Sequence, residues 1–224
     1  MRWHDLLFAH WPVPVDLVRS LIPDALEIDI FDGSAWIGVV PFYMSGVRPR
    51  YIPISLAFPE LNVRTYVKFR DKPGVWFFSL DAASWLSVRV ARWFGLPYYD
   101  ARMTIQKIQA DVVDYESVRT HKNAPSAEFN AKYSPTSPEY FSALGTLDHW
   151  LTERYALYGG LKADQIVSGE IHHLPWPLQR AEVDLRRNTM SAALGLKLTD
   201  TKPLCHFARY QEVLAWPIMP IKPV

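Results

Sequence analysis

Residues 60–67 alternate without a break. Leu61, Val63, Thr65 and Val67 fall on one side, and Glu60, Asn62, Arg64 and Tyr66 on the other. Successive side chains leave a β-strand on opposite faces, so this period of two specifies an extended segment with an apolar and a polar face. The apolar face has to be covered by a helix or a second sheet. Lys72-Pro73-Gly74 then offers a turn, and residues 75–80 return as a partner strand. This pair constrains the chain to a sheet that is antiparallel at its centre.

The rest of the chain extends the pattern. Residues 3–10 are apolar and aromatic at strand length, with Pro12 expected to stop them. Residues 26–30 alternate, Asp32-Gly33 supplies hairpin chemistry, and residues 35–43 return. Further strands fit 101–109, 111–120, 127–133, 165–173, 179–186 and 204–216, and 121–126 reads as a polar surface loop. Helices fit 14–21, with Pro14 in its first turn, and 84–94, with Leu86, Val90, Trp93 and Phe94 on one stripe and Gly95 at the C-terminal end. Thr146 caps a third expected helix that runs to Tyr158 before Gly159-Gly160, and residues 189–194 form a short fourth. The reading is an α+β fold, mostly antiparallel, as a curved sheet or partly closed barrel with a few packed helices. No shift of composition divides the 224 residues, so 1–224 is expected to form a single domain.

Composition narrows the partners. The formal net charge is +1, from 24 Lys+Arg against 23 Asp+Glu, which provides no general field for nucleic acid or an anionic membrane. Arg48-Pro49-Arg50 is the one local basic run, and its proline suggests a solvated turn. No stretch approaches the roughly 20 apolar residues of a membrane helix. Cys205 is the only cysteine, so no internal disulfide exists, and it reads as a buried thiol. The default localisation is cytoplasmic. Nine tryptophans and a 14% aromatic content suit either a large core or an aromatic-lined pocket.

Few residues stand out chemically. Glu60, Asn62 and Arg64 share one strand face. Two readings stay open for them: an exposed polar face, or a polar cluster inside a cavity where a carboxylate acts as acid or base. His172 and His173 are adjacent and must point to opposite faces, whereas Glu170 and His172 share a face and suit an acid–base or orienting pair. No spacing matches a zinc motif, so no metal is expected. No phosphate loop or nucleophile elbow is present, and no cofactor is implied. His4, His10, His149 and His206 are scattered and each reads as structural.

Several segments together resemble a known family. They include Trp3-His4-Asp5-Leu6-Leu7-Phe8-Ala9-His10-Trp11-Pro12, Phe58-Pro59-Glu60-Leu61-Asn62-Val63-Arg64-Thr65-Tyr66 and Val75-Trp76-Phe77-Phe78-Ser79-Leu80-Asp81-Ala82. Gly169-Glu170-Ile171-His172-His173, Pro175-Trp176-Pro177-Leu178 and His206-Phe207-Ala208 follow. The combination is similar to the YqjF-like family of conserved proteins without an assigned function, a distant branch of the acetoacetate decarboxylase superfamily. That resemblance implies a cone-like, largely antiparallel β-barrel with the pocket inside. It also implies a Gly-x-Pro-Lys-Lys motif whose first lysine forms an imine with a ketone. The matching stretch here is Gly95-Leu96-Pro97-Tyr98-Tyr99. A phenol cannot form an imine, and Lys68, Lys107 and Lys162 do not occupy the motif, so Schiff-base acetoacetate decarboxylation is not expected. The resemblance further implies that Glu60 is the counterpart of the superfamily's pocket carboxylate, and it places an arginine of the first strand near His4 or Arg2.

Three functions remain open at this level. One is an enzyme, lyase- or hydrolase-like, acting on a small carbonyl or carboxylate compound, with Glu60 and Tyr98 catalytic. Arg64, Asn62, Tyr99, His4, Glu170 and His172 would then be its ligand-binding residues. Another is non-catalytic binding of an apolar or aromatic metabolite. The third is a protein-interaction module marked by an exposed apolar patch. A small organic molecule is the expected partner, and homo-oligomerisation is left open.

Overall fold

The protein is described by a computed structural model covering residues 1–48, 55–109, 111–162, 165–198 and 202–221. Most of the expected turn at 48–50 therefore lies outside the described residues. The chain begins with β1 (Arg2–Val13), α1 (Val15–Arg19), β2 (Glu27–Ile28), β3 (Ala35–Val47), β4 (Leu56–Phe69) and β5 (Lys72–Ala82). Next come α2 (Trp85–Trp93), β6 (Tyr98–Gln109), β7 (Val112–Arg119), β8 (Glu128–Pro135), α3 (Leu147–Thr152), β9 (Ala156–Lys162) and β10 (Gln165–His172). After β11 (Gln179–Asn188) and a 3₁₀ turn at Ala192–Leu194, the chain ends in β12 (Leu204–Glu212), β13 (Leu214–Ala215) and β14 (Met219–Ile221). The α+β reading, mostly antiparallel with few helices, holds. Among the described residues no helix is long and apolar enough to cross a membrane.

The strands form one sheet in the order β13-β10-β9-β5-β6-β7-β8-β11-β12-β1-β3-β4-β2, with β14 on β10. β4 also pairs with β5, which turns the path back on itself. The expected β-barrel is nevertheless corrected: the sheet is not a closed barrel. Its path has edges at β13 and β2. The side of β5 facing away from β4 is divided, with 74–76 parallel to β9 and 80–82 parallel to β6. A closed barrel requires an unbroken ladder around the wall, and here the wall parts at 77–79.

Local chemistry explains the elements. Asp32 and Gly33 both have positive φ, at 48° and 74°, and close the Phe31–Ser34 bridge as a tight hairpin. The β4–β5 hairpin turns at Arg70 and Asp71, with φ of 49° and 62°, rather than at 72–74 as expected. Lys72 and Pro73 instead begin β5 opposite Phe69 and Lys68. Pro12 does not stop β1: it stays in register with Trp36. Ser84 caps α2, its side chain accepting from the Ser87 N–H, and Thr146 caps α3 in the same way through His149. α3 ends at Thr152, so the expected continuation to Tyr158 is wrong. Gly159 and Gly160 lie inside β9. A Cβ at Gly159 would sit 3.0 Å from Leu96 and 3.2 Å from Pro97, so that glycine serves close approach and not helix termination.

Both faces of the central strands are buried. In β1, Leu7, Ala9 and Trp11 join the largest apolar cluster, while Leu6 and Phe8 join a second on the other face. In β4, Leu61, Val63 and Val67 enter the largest cluster. Glu60 and Asn62 are also buried, on the opposite face. The period-two pattern is thus that of a strand between two enclosed spaces, one apolar and one partly polar. Cys205 is buried in the first, where burial pushes its thiol up to about 12.

Candidate functional site

The polar face of β4 opens on a cavity of about 220 Å³. Glu60, Asn62 and Arg64 line it from β4, Val75, Phe77 and Leu80 from β5, Leu96 from the connection after α2, and Tyr98 from the start of β6. Trp3, Phe8 and Trp176 form much of the aromatic wall, with Trp3 and Trp176 stacked at 6.0 Å and Phe8 edge-on to Trp176 at 5.0 Å. The cavity is small and mainly apolar, with a few converging polar groups, as small-molecule sites generally are.

Glu60 and Tyr98 meet in it. The Tyr98 hydroxyl donates to Glu60 Oε2 at 2.8 Å. From the other side the Tyr115 hydroxyl donates to the Glu60 carbonyl at 2.8 Å and fixes the backbone there. Burial raises the Glu60 carboxyl to about 8; the hydrogen bond from Tyr98 opposes this, and the charge of Asp81 adds to it. At neutral pH Glu60 is therefore mostly a neutral acid. Burial and the adjacent Glu60 push the Tyr98 phenol well above its usual range, so it acts as a hydrogen-bond donor. Oε2 accepts from Tyr98, which leaves Oε1 to carry the proton.

Arg64 supplies charge. Its Nε and Nη2 atoms are buried without a hydrogen-bond partner among the described residues. Its guanidinium carbon lies 5.5 Å from the Phe8 ring centroid and 5.9 Å from that of Tyr66. Arg154 adds a second guanidinium to the wall, but its Nη1 donates to Asp29 at 2.6 Å and its Nε to the Trp150 carbonyl at 2.7 Å. Arg154 Nη2, Asn62 Oδ1 and the indole N–H groups of Trp3 and Trp176 are also buried without partners. A cavity wall with this many unpaired polar atoms is costly unless water or a ligand supplies the partners.

The other predicted residues lie elsewhere. Tyr99 turns to the opposite side of β6, with the Arg119 guanidinium 4.2 Å from its ring centroid and His121 edge-on at 5.4 Å. His4 bonds Ser45 Oγ at 2.8 Å and packs on Tyr43 and Tyr210, outside the cavity. Glu170 is exposed and paired with Lys72, and His172 is exposed on the same face. The inward histidine is His173, which lines the cavity beside Trp176 at 4.8 Å. Burial lowers its pKa, and its Nδ1 is 2.7 Å from the Leu174 carbonyl. Sequence reasoning missed His173, Arg154 and Trp176. The signal for His173 was present in the alternation of β10, because opposite faces for 172 and 173 mean that one of them points inward. Among the described residues, no lysine lines the cavity and no three His, Cys, Asp or Glu side chains cluster as metal ligands.

The fold defines the class first. The structure superposes on an acetoacetate decarboxylase-like enzyme from Sphingomonas wittichii RW1 with a TM-score of 0.63 and 13% identity, covering 100% of this chain and 92% of that one. It superposes on the enduracididine biosynthesis enzyme MppR with a TM-score of 0.68 and 11% identity, covering 100% and 88%. These likenesses establish an acetoacetate decarboxylase-like fold. Sequence then gives the family: residues 1–212 match DUF2071, described as an uncharacterized conserved protein, and the chain belongs to that family. The uncharacterized protein YqjF of Bacillus subtilis (strain 168) is 46% identical over 220 residues, covering 96% of this chain and 89% of the relative.

Proposed function

We propose that the chain, acting as one domain over 1–224, binds a small organic carboxylate in the Glu60–Tyr98–Arg64 cavity. There it acts on the compound by acid–base chemistry without a lysine imine. The observation that carries this reading is one wall of β4 holding a neutral acid beside a guanidinium whose Nε and Nη2 have no hydrogen-bond partner among the described residues. Arg64 would anchor the carboxylate through a two-pronged hydrogen bond. Glu60 Oε1 would deliver or accept a proton at a carbonyl oxygen or its neighbouring carbon, and Tyr98 would hold Glu60 in place while offering its hydroxyl. Asn62 and His173 would complete the polar contacts. The likeness to decarboxylase-like enzymes supports a pocket at this place in the fold and assigns no reaction.

The aromatic wall supports a second reading, in which the same cavity holds an apolar or aromatic metabolite and performs no chemistry. One series separates the two. Small 2-oxo, 3-oxo and hydroxy carboxylates are tested first for thermal stabilisation of the wild type, then for conversion by mass spectrometry. Arg64→Gln is expected to weaken binding at least tenfold by removing the charged anchor. Glu60→Gln is expected to keep binding and abolish conversion. Binding without conversion in the wild type selects the second reading. Carboxylate binding indifferent to Arg64→Gln overturns the first.

A further inference from the structure

Helix α2 presents an apolar stripe that its own packing does not use. Val88 is its buried residue, whereas Leu86, Val90 and Phe94 are 45%, 40% and 50% exposed. These three, spaced by four residues, line one side of a second space of about 330 Å³. The opposite side is Met44, Val47, Leu56 and Phe58 of β3 and β4. Among the described residues, Ser87 and Tyr98 are the lining side chains that carry a polar group. Exposed large apolar side chains in such a row mark a binding surface.

This groove adjoins the cavity. Met1, Met44, Leu96, Tyr98 and Ile218 line both, so the two spaces share a wall. Tyr98 stands at the junction, with its hydroxyl committed to Glu60 and its ring facing apolar side chains. The sequence leads from charge at Arg64, through the neutral acid and phenol, to a surface of aliphatic and aromatic carbon. A single ligand that matches it has an anionic head and an apolar tail.

We infer that the groove beneath α2 is the tail subsite of the cavity, and that the ligand class is amphipathic: a carboxylate whose hydrocarbon chain passes Tyr98 and lies along Leu86, Val90 and Phe94. The inference rests on the carboxylate reading of the cavity and adds the nature of the rest of the molecule. The side chains of the groove are mostly aliphatic and aromatic, which gives a short polar acid little to bind there. Each methylene moved from water to such a surface strengthens binding about fourfold.

The test is calorimetric titration of the wild type with straight-chain carboxylates from butyrate to dodecanoate, with the alkanols of the same lengths as a head-group control. Affinity for the carboxylates is expected to rise about fourfold per methylene over the lengths that fit, then level off. Leu86→Glu places a charge in the groove at an exposed position and is expected to flatten this rise while leaving butyrate binding unchanged. Trp93→Glu, on the same helix but outside the groove, is expected to leave the whole series intact. Short carboxylates that bind without any gain from chain length overturn the tail subsite and leave the head-group reading standing. A chain-length gain shared equally by the alkanols, and removed by Leu86→Glu, keeps the groove and overturns the carboxylate reading. A Leu86→Glu variant that changes only the oligomeric state in sedimentation shows a contact between copies of the chain and overturns the proposal.

Discussion

Glu60 keeps its proton through neutral pH because the folded chain removes its carboxyl from water, and this makes stability depend on pH in a definite direction. Its pKa rises on folding from 4.5 to about 8. The folded state therefore holds a proton that the unfolded chain releases between those values. Its stabilising effect is complete below 4.5, falls as pH rises, and is lost once pH passes about 8. Relative to Glu60→Gln, which cannot ionise, the wild type is expected to lose on the order of a few kcal/mol between pH 5 and 9. Denaturant titrations of both proteins across that range check it; parallel curves would mean that Glu60 does not change ionisation on folding. His10 works at the other end. It is wholly buried, and burial first, then Arg64 and His206, hold its pKa well below 6.5. Its contribution is present above 6.5 and lost as pH falls toward its folded value. Glu60, Asn62 and Arg64 were legible in the sequence as one face of one strand. Which way that face turned was not, because period two labels sides without saying what covers them. The choice between His172 and His173 failed for the same reason: a strand edge and a strand interior carry the same alternation.

Turns and caps decide the elements. The β4–β5 hairpin places Arg70 and Asp71 in the left-handed region, where side chains with a Cβ are strained. Arg70→Asn with Asp71→Gly is expected to stabilise the protein by about 1 kcal/mol, since Asn-Gly is the preferred pair for such a turn. Both positions are exposed, the stacking of the Arg70 guanidinium over Phe69 at 5.2 Å is lost, and the shift in denaturation midpoint measures the net gain. The hairpin itself was legible from its flanking strands, but Pro-Gly at 73–74 drew the expected turn three residues too late. Gly74 has a different reason to be glycine: a Cβ there would lie 2.4 Å from the Ala156 carbonyl oxygen, across the parallel β5–β9 pairing. That contact joins residues far apart in sequence and leaves no local mark. α2 is the instructive element. Its period was legible, with Leu86, Val90, Trp93 and Phe94 on one stripe, but what the stripe faces was not: all four are exposed, and Leu86, Val90 and Phe94 line the groove.

At the scale of the molecule, the order of pairing sets how the chain must assemble. β1 pairs over eight positions with β12, from the far end of the described chain, and β5 pairs with β9 some 80 residues later. Such contacts become favourable only after large loops have closed, so refolding followed by tryptophan fluorescence is expected on a timescale of milliseconds to seconds or slower. A microsecond relaxation would contradict this topology. The mostly antiparallel fold was legible from turns and alternation. The division of β5 between two parallel neighbours was not, since each partner is distant in sequence. That division has a mechanical consequence. Among the described residues no strand is laced to that margin of β5 at 77–79, and Phe77 there belongs to the cavity wall. The seam is therefore the stretch of β5 where the wall can bend without breaking a cross-strand rung on that margin.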